Sequence, residues 1–187
     1  GVVCNLDLAM CANGGLKTHD KTLESRETLF ATFLETVGFN AEPILCARPD
    51  DAPLAPEADA LMEEVVAGTS HTDFMTADGM RHEIWRIQAE GVLGKRMAQT
   101  WGSHSTLYLA DGHHRLASSQ RLAKARPDLE GAGQILTFVL PEKDLSILGF
   151  HKEIRRVDMT VEAFEDALNR IPHSREEAFD SNAASPS

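Results

Sequence analysis

TLYLADGHHRLASS, running from Thr106 to Ser119, is the stretch on which the reading of this chain turns. Leu107-Tyr108-Leu109-Ala110 is a short apolar run that predicts a buried strand, and Asp111-Gly112 predicts a tight turn. His113-His114-Arg115 then opens a segment of helical character. A strand, a polar turn and a helix start form an anion site, because unpaired N–H groups and the positive end of the helix dipole converge there. Two imidazoles and a guanidinium in the same turn add donors suited to phosphate oxygens.

Outward from this stretch, the helix is expected to run to about Ala125 and to stop before Pro127. Downstream, Gln134 to Leu140 predicts a strand, Pro141 to Asp144 a turn, and Ile147 to His151 another strand. Val161, Phe164, Leu168 and Ile171 mark a last amphipathic helix. Upstream, GVVCNLDLAM reads as a first strand, and a chain opening directly in apolar alternation points to a fragment of a longer protein. Asn13-Gly14-Gly15 predicts a turn, with Leu16-Lys17-Thr18 beginning the return strand.

His19-Asp20-Lys21-Thr22 precedes a predicted helix whose apolar face is Leu23, Phe30, Phe33, Leu34 and Val37. Asp20 or Thr22 would cap it and Gly38 would end it. Pro43 to Arg48 reads as a short central strand, Pro49 to Pro56 as a loop. A second helix carries Ala58, Leu61, Met62, Val65 and Val66 at core spacing. Asp78-Gly79 predicts a hairpin joining His71–Ala77 to Met80–Ile87, and Val92 to Ala98 a short helix. Interspersed strands and helices with one hairpin imply an α/β or α+β mixed sheet. A single domain over residues 1–180 is expected, with 181–187 a disordered tail.

Among 187 residues, 42% are hydrophobic and 25% charged, the balance of a soluble globular protein with a real core. The net charge of −11, from 29 acidic and 18 basic side chains, argues against a nucleic-acid partner, which needs a basic face to displace counterions. Three cysteines without a CxxC spacing fit reduced thiols. No leader and no apolar run long enough to span a bilayer are seen, so a cytoplasmic protein without membrane contact is expected. A homo-oligomer is left open.

The residues of the turn admit three readings. Gly112 lets a phosphate approach the backbone while Arg115 and a histidine bind its oxygens, with Asp111 holding Mg²⁺ or orienting a histidine. Alternatively, the histidines and Asp111 bind a transition metal, although adjacent histidines at a bend seldom point to one centre. In the third reading Asp111 caps the helix and the turn is structural.

The segment Tyr108 to Ser119, the upstream His19-Asp20-Lys21-Thr22, the hairpin Asp78-Gly79-Met80-Arg81-His82-Glu83-Ile84-Trp85-Arg86-Ile87 and Leu148-Gly149-Phe150-His151-Lys152 occur in this order. Together they resemble an uncharacterised bacterial group, domain-of-unknown-function family ten-fifteen, from about Leu16 to Val157. That family looks like a relative of the ParB/sulfiredoxin-like fold and its free serine kinases. The resemblance implies a small-molecule kinase that takes ADP or ATP with Mg²⁺ and phosphorylates L-serine or a similar hydroxylated metabolite. It implies Asp20 as general base, with His114 as a second catalytic residue. Asp111 would lie near Mg²⁺, and Gly112, His113, His114 and Arg115 around the phosphates. His19, Thr22, His151 and Lys152 are additional candidates. The alternatives are a non-catalytic nucleotide-binding module of the ParB CTPase type and a degenerate scaffold.

Overall fold

The computed structural model describes residues 1–19, 22–103, 106–147 and 158–172. The chain forms two compact units, Gly1–Ser146 and Ile147–Ser187. The first unit is built on a five-stranded mixed sheet in the spatial order β1-β7-β3-β6-β2. Its strands are β1 (Val2–Asp7), β2 (Leu16–Lys17), β3 (Ile44–Arg48), β6 (Leu107–Asp111) and β7 (Gln134–Pro141). β1 runs antiparallel to β7, β7 parallel to β3, β3 antiparallel to β6, and β6 parallel to β2. With the six α-helices found among the described residues, this is the mixed α/β architecture expected from the interspersed patterns.

The short helix α1 (Ala9–Ala12) follows β1 and passes into the Asn13–Gly15 turn. The expected return strand forms there, but it does not pair with β1. Leu107 N–H donates to Gly15 O at 2.7 Å, and β2 lies beside β6 at the opposite edge of the sheet. β1 instead pairs along its full length with the longer β7, which offers six consecutive partners where β2 has only two residues.

One face of the sheet carries the core. Ile44, Cys46, Leu107, Leu109, Ile135 and Val139 pack there with Leu8, Leu16 and Leu116. Alternation along a strand puts every second side chain on this face; β7 shows it, with Ile135, Thr137 and Val139 buried and the residues between them only partly so. Burying each such aliphatic side chain stabilises the fold by about 1.5–3 kcal/mol, so this face dominates the stability of the first unit.

α2 (Glu24–Val37) ends at Gly38, whose φ of +74° and N–H to Leu34 O complete the expected left-handed cap. Two expectations about its other features need correction. The helix starts from Leu23, and the Thr22 hydroxyl does not cap it but donates to Glu27 Oε1 at 2.5 Å; Asp20, the other expected cap, lies outside the described residues. Its one buried residue is Ala31, whereas Phe30 and Phe33 are exposed. The helix packs on α5 (His113–Ala125), and the small Ala31 marks the packed side.

α3 (Ala55–Val66) buries Ala55, Ala58, Leu61 and Val65, close to the stripe read from sequence, while Val66 is exposed. The hairpin forms as expected, from β4 (Thr72–Met75) and β5 (Arg81–Ile84) around Gly79 at φ +83°. It is a separate two-stranded sheet with all eight strand residues exposed. Arg81 binds Asp73 through two nitrogens at 2.9 and 2.7 Å, which holds the Asp73 carboxyl below its ordinary range. α4 (Val92–Gly102) extends four residues past the expected end. In the second unit, α6 (Val161–Asn169) is capped by Thr160, whose hydroxyl accepts from Ala163 N–H at 3.3 Å. The strand expected to run to His151 and the tail expected from 181 lie outside the described residues.

Candidate functional site

The turn after β6 is shaped by a bulge. Leu45 of β3 faces Asp111, and the next residue, Cys46, faces Leu109, so β6 carries one extra residue between them. Partners across a ladder share a face. Cys46 and Leu109 are core residues, while Leu45 points the other way. Strict alternation would have turned Asp111 into the core beside Leu107 and Leu109. The extra residue sends its carboxylate to the opposite side, where it is 73% exposed.

Gly112 follows at φ +99° and is the N-cap residue of α5. A methyl built there would lie 2.8 Å from Ile44 Cγ2, 3.0 Å from Arg115 Nε and 3.1 Å from Arg115 Nη2. Both conformation and space therefore require glycine. No side chain caps the helix, and its ladder begins with Leu116 N–H donating to Gly112 O. The N–H groups of the first turn and the dipole of a 13-residue helix are thus directed at the turn.

The guanidinium of Arg115 lies across this turn. Nη2 donates to Asp111 Oδ2 at 2.6 Å, and Nη1 pairs with Glu42 Oε2. Glu42 stands just before β3, whose first residue, Ile44, touches Gly112. Sequence reading missed it. A lone acidic residue ahead of Pro43 carries no motif, and only the antiparallel pairing of β3 with β6 brings it to the turn.

His113 meets the upstream segment. His19 N–H donates to His113 Nε2 at 3.5 Å, a long bond, and the two rings stand edge to face with centroids 4.4 Å apart. His114 extends in another direction; its Nδ1 is buried without a hydrogen-bond partner, and its carbonyl accepts from the Ser118 hydroxyl at 2.5 Å. The structure thus brings together His19, Glu42, Asp111, Gly112, His113 and Arg115. Thr22 is engaged by Glu27, which also lies 3.7 Å from Arg121 of α5. Asp20, His151 and Lys152 fall outside the described residues.

Other titratable clusters among the described residues suit chemistry less well. Burial pushes the Cys46 thiol up to about 12, with Cys11 and Cys4 close enough to add to the effect, so it stays protonated and unreactive. An open cleft lined by Glu57, Leu61, Glu64, Arg96 and Gln99 lies between α3 and α4, away from the turn. No group of three or more His, Cys, Asp or Glu side chains that could hold a metal ion is found among the described residues. Among them, too, no helix is long and apolar enough to cross a membrane.

A family model described as protein of unknown function, DUF1015, matches residues 1–184. The chain belongs to that family. No curated protein and no solved structure matches the chain. The exposed carboxylate, left-handed glycine and helix-start arginine are features of this DUF1015 chain.

Proposed function

We propose that this DUF1015 domain is a ParB/sulfiredoxin-like kinase for a small molecule. It would bind ADP or ATP at the Asp111–Arg115 turn and transfer a phosphoryl group to free L-serine or a similar hydroxylated metabolite. The observation that carries the reading is the contact of His19 with His113, because it joins the segment bearing Asp20 to the uncapped helix start. These two stretches are 94 residues apart in the chain, and a kinase needs both, one to hold phosphate and one to take the hydroxyl proton.

The N–H groups of the α5 first turn, His113 and Arg115 hold the phosphate oxygens. Mg²⁺, when bound with the nucleotide, neutralises charge on the phosphates. Such ions take one or two protein carboxylates alongside phosphate oxygens, and the exposed Asp111 fits that donor set. In the transfer, the serine hydroxyl oxygen bonds to phosphorus, the bond from phosphorus to the leaving nucleotide oxygen breaks, and Asp20 accepts the hydroxyl proton.

The test is to incubate the protein with Mg²⁺, ADP or ATP, and L-serine and to follow O-phosphoserine by mass spectrometry. Product is expected from the wild type and is lost in both Asp20→Ala and Arg115→Ala, with nucleotide binding surviving only in Asp20→Ala. Nucleotide binding without product from any hydroxylated amino acid would point to a regulatory binding module. Calorimetry showing no binding of ADP, ATP or CTP would remove the phosphate site itself.

A further inference from the structure

We propose that Glu42 is an autoinhibitory latch on the anion site, a carboxylate that occupies Arg115 until a phosphate displaces it. The inference rests on the phosphate reading of the turn and adds a regulatory contact to it. Two carboxylates hold the Arg115 guanidinium in this structure: Nη2 donates to Asp111, and Nη1, buried and without a hydrogen bond of its own, is in ion-pair contact with Glu42. A phosphate held by two parallel N–H bonds needs an edge of the guanidinium that is free, so one carboxylate must leave. The two are not equivalent. Asp111 sits four residues before Arg115 on the same turn, at 2.6 Å, and is returned to it by the local backbone. Glu42 comes from the α2–β3 connection, 74% exposed, and can swing into water without disturbing any element.

The geometry gives the latch a direction. With Glu42 engaged, two carboxylates outweigh one guanidinium, and an incoming phosphate meets net negative charge. With Glu42 released, Arg115 has a free nitrogen beside the helix start, and the nearest competing charge is Asp111. The Glu42 end of the pair is open to water although Arg115 is only 25% exposed, and a pair solvated on one side is weak enough for a polyanion to displace, so the latch tunes affinity and does not block the site.

The experiment titrates inorganic pyrophosphate and Mg²⁺-free ADP into the whole chain by calorimetry at low ionic strength. Glu42→Gln is expected to bind about fivefold tighter than wild type, the full range of an exposed ion pair. Glu24→Gln is the control. It removes one negative charge that pairs with Arg121 instead, and a change within roughly twofold is expected because screening damps distant charges. Equal gains in the two variants, or no gain in Glu42→Gln, would overturn the latch while leaving phosphate binding intact. Binding by neither wild type nor Glu42→Gln would overturn the latch together with the phosphate reading. Circular dichroism of each variant separates these results from loss of fold.

Discussion

A methyl group at position 112 meets a crowding penalty that the same methyl at position 38 does not share. Gly38 and Gly112 are both left-handed, at φ +74° and +99°. Nothing lies within 4 Å of a methyl at Gly38, whereas Ile44 and Arg115 crowd one at Gly112. Gly38→Ala should lose about 1 kcal/mol from the left-handed conformation alone. Gly112→Ala should lose about 2–4 kcal/mol, since overpacking adds to the same term. Urea unfolding of the two variants measures the difference, and equal midpoints would mean that the turn is not wedged between Ile44 and Arg115. At this scale the sequence was informative. Gly112, flanked by Asp111 and His113, signals a turn on its own, because the demand for a left-handed residue is local. Glu42 was invisible, because its importance comes from a partner 73 positions away (Arg115) and not from its neighbours.

At the scale of elements, α2 shows how a hydrophobic pattern can name a helix and misassign its face. Spacing of Leu23, Phe30, Phe33, Leu34 and Val37 is helical, and the helix is there, with Leu34 and Val37 half-buried but Leu23, Phe30 and Phe33 exposed. The side that meets α5 is instead the one with Ala31, and a small residue allows two helix axes to approach closely. Ala31→Leu should destabilise by about 1–3 kcal/mol through overpacking, while Phe33→Ser, on a side chain 48% exposed, should shift stability by less than about 1 kcal/mol. Thermal or urea unfolding of both variants decides the orientation, and the reverse ranking would restore the face read from the sequence. By contrast, the Asp78-Gly79 hairpin was legible as a hairpin, because its turn signal is local, although its strands Thr72–Met75 and Arg81–Ile84 are shorter than the expected His71–Ala77 and Met80–Ile87.

At the scale of the whole molecule, Arg48 links three elements. It is fully buried at the end of β3, donates to Asp59 of α3 at 2.5 Å, and lies 5.7 Å from the Trp101 ring centre of α4. Its Nε and Nη1 are buried without hydrogen-bond partners, so the ion pair carries a substantial desolvation cost. Removing one partner strands the other charge, whereas replacing the buried charge by an apolar chain removes the cost as well. Asp59→Ala should therefore destabilise by on the order of 3 kcal/mol, somewhat eased by the partial exposure of Asp59 and by Lys143 nearby. Arg48→Met should be close to neutral. Denaturant midpoints of the two variants check the ordering, and a larger loss for Arg48→Met would show that the pair is a net source of stability.

By itself, the sequence determined what short-range physics controls: the strand and helix periods, the glycine turns, the hairpin and the strand–turn–helix arrangement at Asp111–Arg115. These follow from backbone sterics, alternation and capping within a few residues. Only the tertiary structure decided that β2 lies beside β6 and not β1, that a bulge turns Asp111 away from the core, and that Glu42 reaches Arg115. Each depends on which strands pair and in which register. Such pairings are chosen by the burial of the whole sheet face, a quantity that no local stretch of the chain contains.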